Sequence, residues 1–307
     1  MGIGSAMIYN NYNFLKALKI LRFISYRLFG KKKLFNYINE LVKNRIRKDF
    51  SRGVHKSNNN HIVNASTGTG VNTIWVCWLQ GEARAPRIVE NCIRSIRRNS
   101  PDGYKVIVID NDNYKNFVEI PEEITNKYES GIITKTHFSD ILRWSLLSMY
   151  GGFWMDSTIY INRNINFISS MDFFTLKEKN YSEEYITKGR WSGFFIKCPY
   201  NYHPAKLIYS HLIRYWKENN EMIDYFLIDY ILDYVYEESI DFRKDVDALP
   251  YYGDCIYKIM NSVNNNECNE CNEDIGIYKL SYKITTEDED LILKRVSSLI
   301  DNSGELH

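Results

Sequence analysis

Between Thr73 and Asp110 the chain changes hydrophobic period twice. TIWVCWL is an unbroken apolar and aromatic run, the pattern of a strand buried on both faces. GEARAP then turns the chain, with Pro86 suited to the first turn of a helix. Ile88, Val89, Cys92, Ile93 and Ile96 fall at i, i+1, i+4, i+5 and i+8, the stripe of a helix lying on a sheet. SPDG ends that helix, and YKVIVID reads as a second strand closing at Asp110. Strand, helix and strand within about 40 residues predict a βαβ unit, an α/β fold and a parallel sheet. Ligands of such sheets sit beyond the C-terminal strand ends. Trp78, Gln80 and Gly81 follow the first strand, and Asp110 closes the second.

A second such run is HFSDILRWSLLSMYGGFWMDSTI. Ser139 is placed as an N-cap, Ile141, Leu142, Ser145, Leu146 and Met149 mark a helical face, and Gly151 is a stop. Asp140 and Arg143, three apart, project together from the start of that helix. FWM reads as a buried strand, and Asp156 sits where it leaves the core, on the edge where ligands bind. Further on, GRWSGFFIKCPYNYHP carries Trp191 and Ser192. Helices are expected over 205–219 and 223–237, and over EDEDLILKRVSSLI. Asp229 lies in the otherwise apolar YFLIDYIL. A carboxylate buried there needs a partner, which makes it a candidate catalytic residue, as general base or as stabiliser of a sugar's β face, with a helix-surface acid among the tyrosines as the other reading.

The N-terminal pattern is different. Residues 13–29 set Phe14, Leu15, Leu18, Leu21 and Leu28 against Lys16, Lys19 and Arg27, and a second basic helix is expected over 34–49. Residues 1–50 hold 11 Lys/Arg against 2 Asp/Glu, whereas the other 257 hold 28 against 36. The reading is a basic amphipathic segment (1–50) meeting an anionic membrane surface, a polar linker (51–72) and an organised α/β domain (73–307). No nucleic-acid partner is expected. No run of about 18 apolar residues occurs, and no apolar core with a small-residue cleavage site opens the chain. The six cysteines include one isolated CNEC pair, read as loop thiols because no further ligand pair accompanies it. A cytoplasmic protein, peripheral at the inner face of the membrane, is the expectation.

SDILRWSLLSMYGGFWMDST resembles the core of the bacterial capsular polysaccharide synthesis protein family. These are sugar transferases related to the DXD-type mannosyltransferase-like proteins and clostridial glucosylating toxins. IWVCWLQGEARAP, NCIRSIRRNSP, DYFLIDYIL and KLSYK continue the likeness over about residues 73–285 in the expected order. The resemblance implies a GT-A fold, a nucleotide-diphosphate sugar donor, UDP-linked, and hexosyl transfer to a lipid-linked or growing saccharide. It implies that Trp75 or Trp78 stacks on the base, with Gln80 and Asp110 beside it. Ser139, Asp140 and Arg143 would bind the donor, and Trp154 would line the sugar pocket together with Trp191 and Ser192 of GRWSGFFIKCPYNYHP, which resembles the family's donor-side loop before a helix. Asp156 would open the DXD signature and ligate Mg²⁺ or Mn²⁺. The third DXD position is Thr158, so Arg143, Lys279 or Lys283 is a further source of positive charge for the diphosphate. A protein acceptor, and a non-catalytic subunit that binds a nucleotide sugar, are the other readings.

Overall fold

In a computed structural model of the protein, the described residues are 17, 20, 24, 32–54, 72–181, 185–263 and 274–301. Their strands are β1 (Thr73–Cys77), β2 (Lys105–Ile109), β3 (Gly152–Met155), β4 (Ile159–Ile161), β5 (Phe174–Thr175), β6 (Phe195–Cys198) and β7 (Ile277–Lys279). Their helices begin with α1 (Lys32–Val54), α2 (Arg87–Asn99), α3 (Glu122–Glu129) and α4 (Lys135–Tyr150). There follow α5 (His203–Glu218), α6 (Leu227–Glu238), α7 (Ile240–Ala248), α8 (Lys258–Val263) and α9 (Thr286–Asp301).

The main sheet has the order β2-β1-β3-β6-β5. β1 pairs in parallel with β2 and with β3, so three C-terminal strand ends share one edge, as the βαβ pattern predicts. β6 returns antiparallel to β3. All five apolar positions of the α2 stripe are fully buried. Gly151 ends α4 at φ 66°, donating to the Leu147 carbonyl at 3.0 Å. A Cβ there would stand 2.7 Å from the Tyr200 nitrogen and 2.8 Å from the Pro199 carbonyl carbon. Glycine is thus required twice over, by conformation and by the close passage of residues 199–200.

Several expectations are corrected. α4 begins before Ser139: Thr134 is the cap, accepting from the His137 N–H at 3.3 Å. Ser139 lies inside the helix and donates to the Thr136 carbonyl at 2.7 Å. The segment read as a loop around Trp191 ends in the interior strand β6. α6 starts at Leu227 because Asp224 takes the Phe226 N–H at 3.0 Å and holds the preceding turn. A separate pair, β4 with β7, is antiparallel and sits with α2 and α9 on a second apolar cluster of Ile88, Cys92, Tyr160, Tyr278, Ile292 and Val296.

The largest correction concerns α1. It was expected to lie on a membrane, apart from the catalytic domain. Its stripe of Ile38, Val42, Ile46 and Phe50 is buried at 3% exposure or less, and Val42, Ile46 and Phe50 belong to the main core. The Phe50 ring lies 5.6 Å from Tyr234 of α6 and 4.5 Å from His211 of α5. Lys43 reaches Asp233 at 2.6 Å and Glu237 at 3.0 Å. α1 is therefore part of the fold. No described helix is long and apolar enough to cross a membrane. Cys255 is disulfide-bonded.

Candidate functional site

The site gathers at the shared strand edge. Arg143, from the third turn of α4, is its centre. Its guanidinium is 3.1 Å from Asp140 Oδ1 and 3.1 Å from Asp156 Oδ1. It also stacks 4.9 Å over the Trp154 ring, whose Nε1 donates to Asp156 Oδ1 at 2.9 Å. Asp156 Oδ2 faces Lys279 Nζ at 2.8 Å. The Asp156 N–H is fixed on the Phe194 carbonyl at 2.9 Å. Burial pushes the Asp140 carboxyl up, against the pull of Arg143. Asp156 goes the other way: burial would raise it, but Lys279 and then Arg143 hold it below the usual carboxylate range. The buried Cys77 thiol, at the end of β1, is raised by burial and then by the charges of Asp156, Asp110 and Asp140.

Lys279 owes its place to the small sheet. β7 pairs Ile159 with Lys279, and the Leu280 N–H bonds the Thr158 carbonyl at 2.9 Å. The lysine is thereby carried to the turn that follows β3. Lys283, four residues on, is exposed and stays beside Tyr282; it is not brought to Asp156. His137 is a further residue that the sequence reading missed. It is fully buried and lies 4.0 Å from Asp140 Oδ2, and its spacing of one helical turn from Asp140 was the available signal.

The tryptophans divide. Trp75 is a core residue: its Nε1 donates to the Gly151 carbonyl at 3.0 Å, and its ring packs on Phe117 and Tyr150. That leaves Trp78, edge-on to Tyr282 at 5.1 Å, as the aromatic at the strand end. Trp154 is buried beneath Arg143 and braces it rather than lining an open pocket. Gln80 follows Trp78 in the turn that Gly81 closes on the Trp78 carbonyl at 2.9 Å. Asp110 accepts the N–H groups of Asp112 and Asn113 and so shapes the neighbouring turn.

Trp191 and Ser192 lie on the other side. A Cβ on Gly193 would be 3.4 Å from an Arg143 nitrogen, so this loop passes directly over the guanidinium. Trp191 donates to Asp229 Oδ1 at 3.2 Å, and the Ser192 hydroxyl is buried with no hydrogen-bond partner. Arg190 stacks 4.4 Å over Trp191 and pairs with Asp233 at 2.6 Å. Asp233 also holds Lys43 of α1, so the N-terminal helix is tied to the loop that covers the site.

Burial pushes Asp229 up to about 7, against the hydrogen bond from Trp191. The sign has a consequence for stability. A carboxyl raised in the fold contributes stability below its unfolded value near 4, and that contribution is lost as pH rises through about 7. Asp229→Asn, a neutral isostere, should gain melting temperature relative to the parent between pH 5 and about pH 8. A difference in melting temperature that does not change with pH would refute this assignment.

The resemblance placed a divalent ion on Asp156. The donor set does not fit one. Oδ1 is taken by Arg143 and Trp154, and Oδ2 by Lys279. Thr158 brings no charge. Among the described residues no group of three His, Cys, Asp or Glu converges on a point. Mg²⁺ needs only one or two carboxylates beside phosphate and water oxygens, so what decides here is that both oxygens of the one carboxylate already face cations. A divalent ion about 4 Å from an ammonium is repelled by about 8 kcal/mol at an effective dielectric of about 20.

The chain is 29% identical over 106 residues to "O-glycosyltransferase braB" of Annulohypoxylon truncatum, a match covering 32% of this chain and 25% of that protein. It thus spans about a quarter of the length of that curated relative. Among solved structures it is similar to "PaToxG Glycosyltransferase", with 13% identity, a TM-score of 0.41, and coverage of 85% of this chain and 97% of the other. The family model described as "Capsular polysaccharide synthesis protein" matches residues 24–296, which takes in α1, every site residue above and most of α9, and the chain belongs to the capsular polysaccharide synthesis protein family.

Proposed function

We propose that this protein is a GT-A-type glycosyltransferase. It moves a hexose-type sugar from a nucleotide-diphosphate sugar, UDP-linked, to a lipid-linked or growing capsular saccharide. The observation that carries the reading is Arg143, a buried guanidinium held by Asp140 and Asp156 at the C-terminal ends of parallel strands. Such an edge is where α/β sheets take ligands. Its two carboxylates suit sugar hydroxyls, and its fork suits phosphate oxygens. Trp78, with Tyr282, offers an aromatic edge for the base.

In the reaction the acceptor oxygen bonds to the anomeric carbon, and the bond from that carbon to the phosphate oxygen breaks with its electron pair. Charge therefore develops on the leaving diphosphate, and a fixed cation beside it lowers the barrier. Asp229, with a carboxyl near neutrality, takes the acceptor's proton in its ionised form. Contact with the inner membrane surface would bring the enzyme to its acceptor. With the α1 face used in the core, that contact rests on residues before 32, where Ile20 and Ile24 are helical, exposed and one turn apart.

The test is product formation from a panel of labelled nucleotide sugars with detergent-solubilised lipid-linked acceptors. Transfer or donor hydrolysis from at least one nucleotide sugar is expected. Absence of turnover and of nucleotide-diphosphate binding across the panel would overturn the reading.

A further inference from the structure

We infer that Lys279 is the resident cation of this site, so that the donor's diphosphate is bound and released without a divalent ion. The inference rests on the transferase reading and deepens it. The first support is placement. The backbone of Lys279 is held on two sides: by the β4–β7 ladder, through pairing with Ile159 and the next residue's N–H on the Thr158 carbonyl, and by its own N–H on the Ile256 carbonyl at 2.7 Å. Its ammonium lies 2.8 Å from Asp156 Oδ2 and 4.6 Å over the Phe194 ring. The residue whose carbonyl holds the Asp156 N–H thus also gives the ammonium an aromatic face. The charge is positioned before any ligand arrives.

The second support is charge balance. Two carboxylates with a divalent ion sum to zero. Asp156, the neutral Thr158 and Lys279 also sum to zero. The missing acid at 158 and the ammonium from β7 therefore compensate each other, and a metal added to the set would leave it with surplus positive charge. Asp140 and Arg143 balance separately at 3.1 Å.

The third support is what the two cations can do. Arg143 and Lys279 approach Asp156 through different oxygens. An incoming diphosphate can share both without stripping Asp156 bare, because Trp154 keeps its bond to Oδ1. In transfer the C–O bond breaks toward the phosphate, and these two cations face the charge that forms. No proton moves to or from Lys279 in this step.

The test is titration calorimetry of the full chain with uridine diphosphate, guanosine diphosphate and inorganic pyrophosphate, each in excess EDTA and in excess Mn²⁺. Affinity within about twofold between the two conditions is expected for the probe that binds. Lys279→Met should lose about tenfold or more in EDTA, and Lys279→Arg should retain most binding. The wild-type comparison stands even if Lys279→Met fails to fold. Binding that EDTA abolishes and Mn²⁺ restores would overturn the inference and leave the transferase reading intact. Lys279→Met binding as tightly as the parent in EDTA would overturn it too. No binding of any probe in either condition would overturn both.

Discussion

Deleting residues 1–54 should leave a chain that does not fold. Charge and pattern alone made this stretch an appendage, separable from the domain behind a polar linker. The structure instead buries Ile38, Val42, Ile46 and Phe50 to 3% exposure or less. Each such side chain is worth about 1.5–3 kcal/mol, so the four supply roughly 6–12 kcal/mol as an upper figure. Domains of this kind have only about 5–15 kcal/mol in total. The polar contacts add to the loss. Asp233, 1% exposed, would keep Arg190 but lose Lys43. Arg214 would lose the backbone carbonyls of Asp49 and Phe50. Far-UV circular dichroism with thermal melting is the measurement. The truncated chain should show no cooperative transition where the full chain shows one. A cooperative melt with intact nucleotide-diphosphate binding would show that α1 is dispensable.

How much of this was legible in the sequence depended on period and length. β1, α2, β2, α4 and β3 carry clear patterns, and the structure has them in that order. So does α9, whose first turn holds Glu287, Asp288 and Glu289. Asp140, Arg143 and Asp156 were placed together, because helix spacing and a strand end fix them locally. What was not legible depended on partners far along the chain. Trp75 and Trp78 cannot be told apart in a strand buried on both faces, since no alternation marks the inward side. Lys279 and Lys283 are four residues apart, and only the β4–β7 register decides which one meets Asp156. β6 was hidden by Lys197, a charge in mid-strand whose Nζ escapes to the carbonyls of Ile168 and Ser169. An amphipathic stripe says that α1 buries one face, not what covers it. Its cations completed the wrong picture, because Lys43 serves Asp233 within the fold and not a lipid headgroup. Asp233 itself, one turn after Asp229, gave no sign that it would tie α1 to the loop over the site.

Replacing Asp156 by Asn should remove activity and also cost stability, with a pH dependence that identifies the cause. Asp156 is the only carboxylate that touches both Arg143 and Lys279 among the described contacts. The amide keeps the shape but presents one neutral oxygen to three donors, so at least one cation must let go. Turnover of the nucleotide sugar, by transfer or hydrolysis, should fall about 100-fold or more, the scale of losing a fixed electrostatic group. The stability effect follows from the carboxyl's direction. Burial would raise it, but Lys279, then Arg143, then the hydrogen bonds from Lys279 and Trp154 hold it low. A carboxyl depressed in the fold contributes stability above its unfolded value near 4, and the contribution is lost as pH falls through the lower folded value. The parent should therefore melt above Asp156→Asn at pH 7, and the gap should close as pH drops below about 4. Melting curves of both chains across that range, with turnover measured at pH 7, make the check. Full turnover in the variant would remove Asp156 from the chemistry. A melting gap that persists unchanged at low pH would show that packing, not the charge held by Arg143 and Lys279, sets its role in the fold.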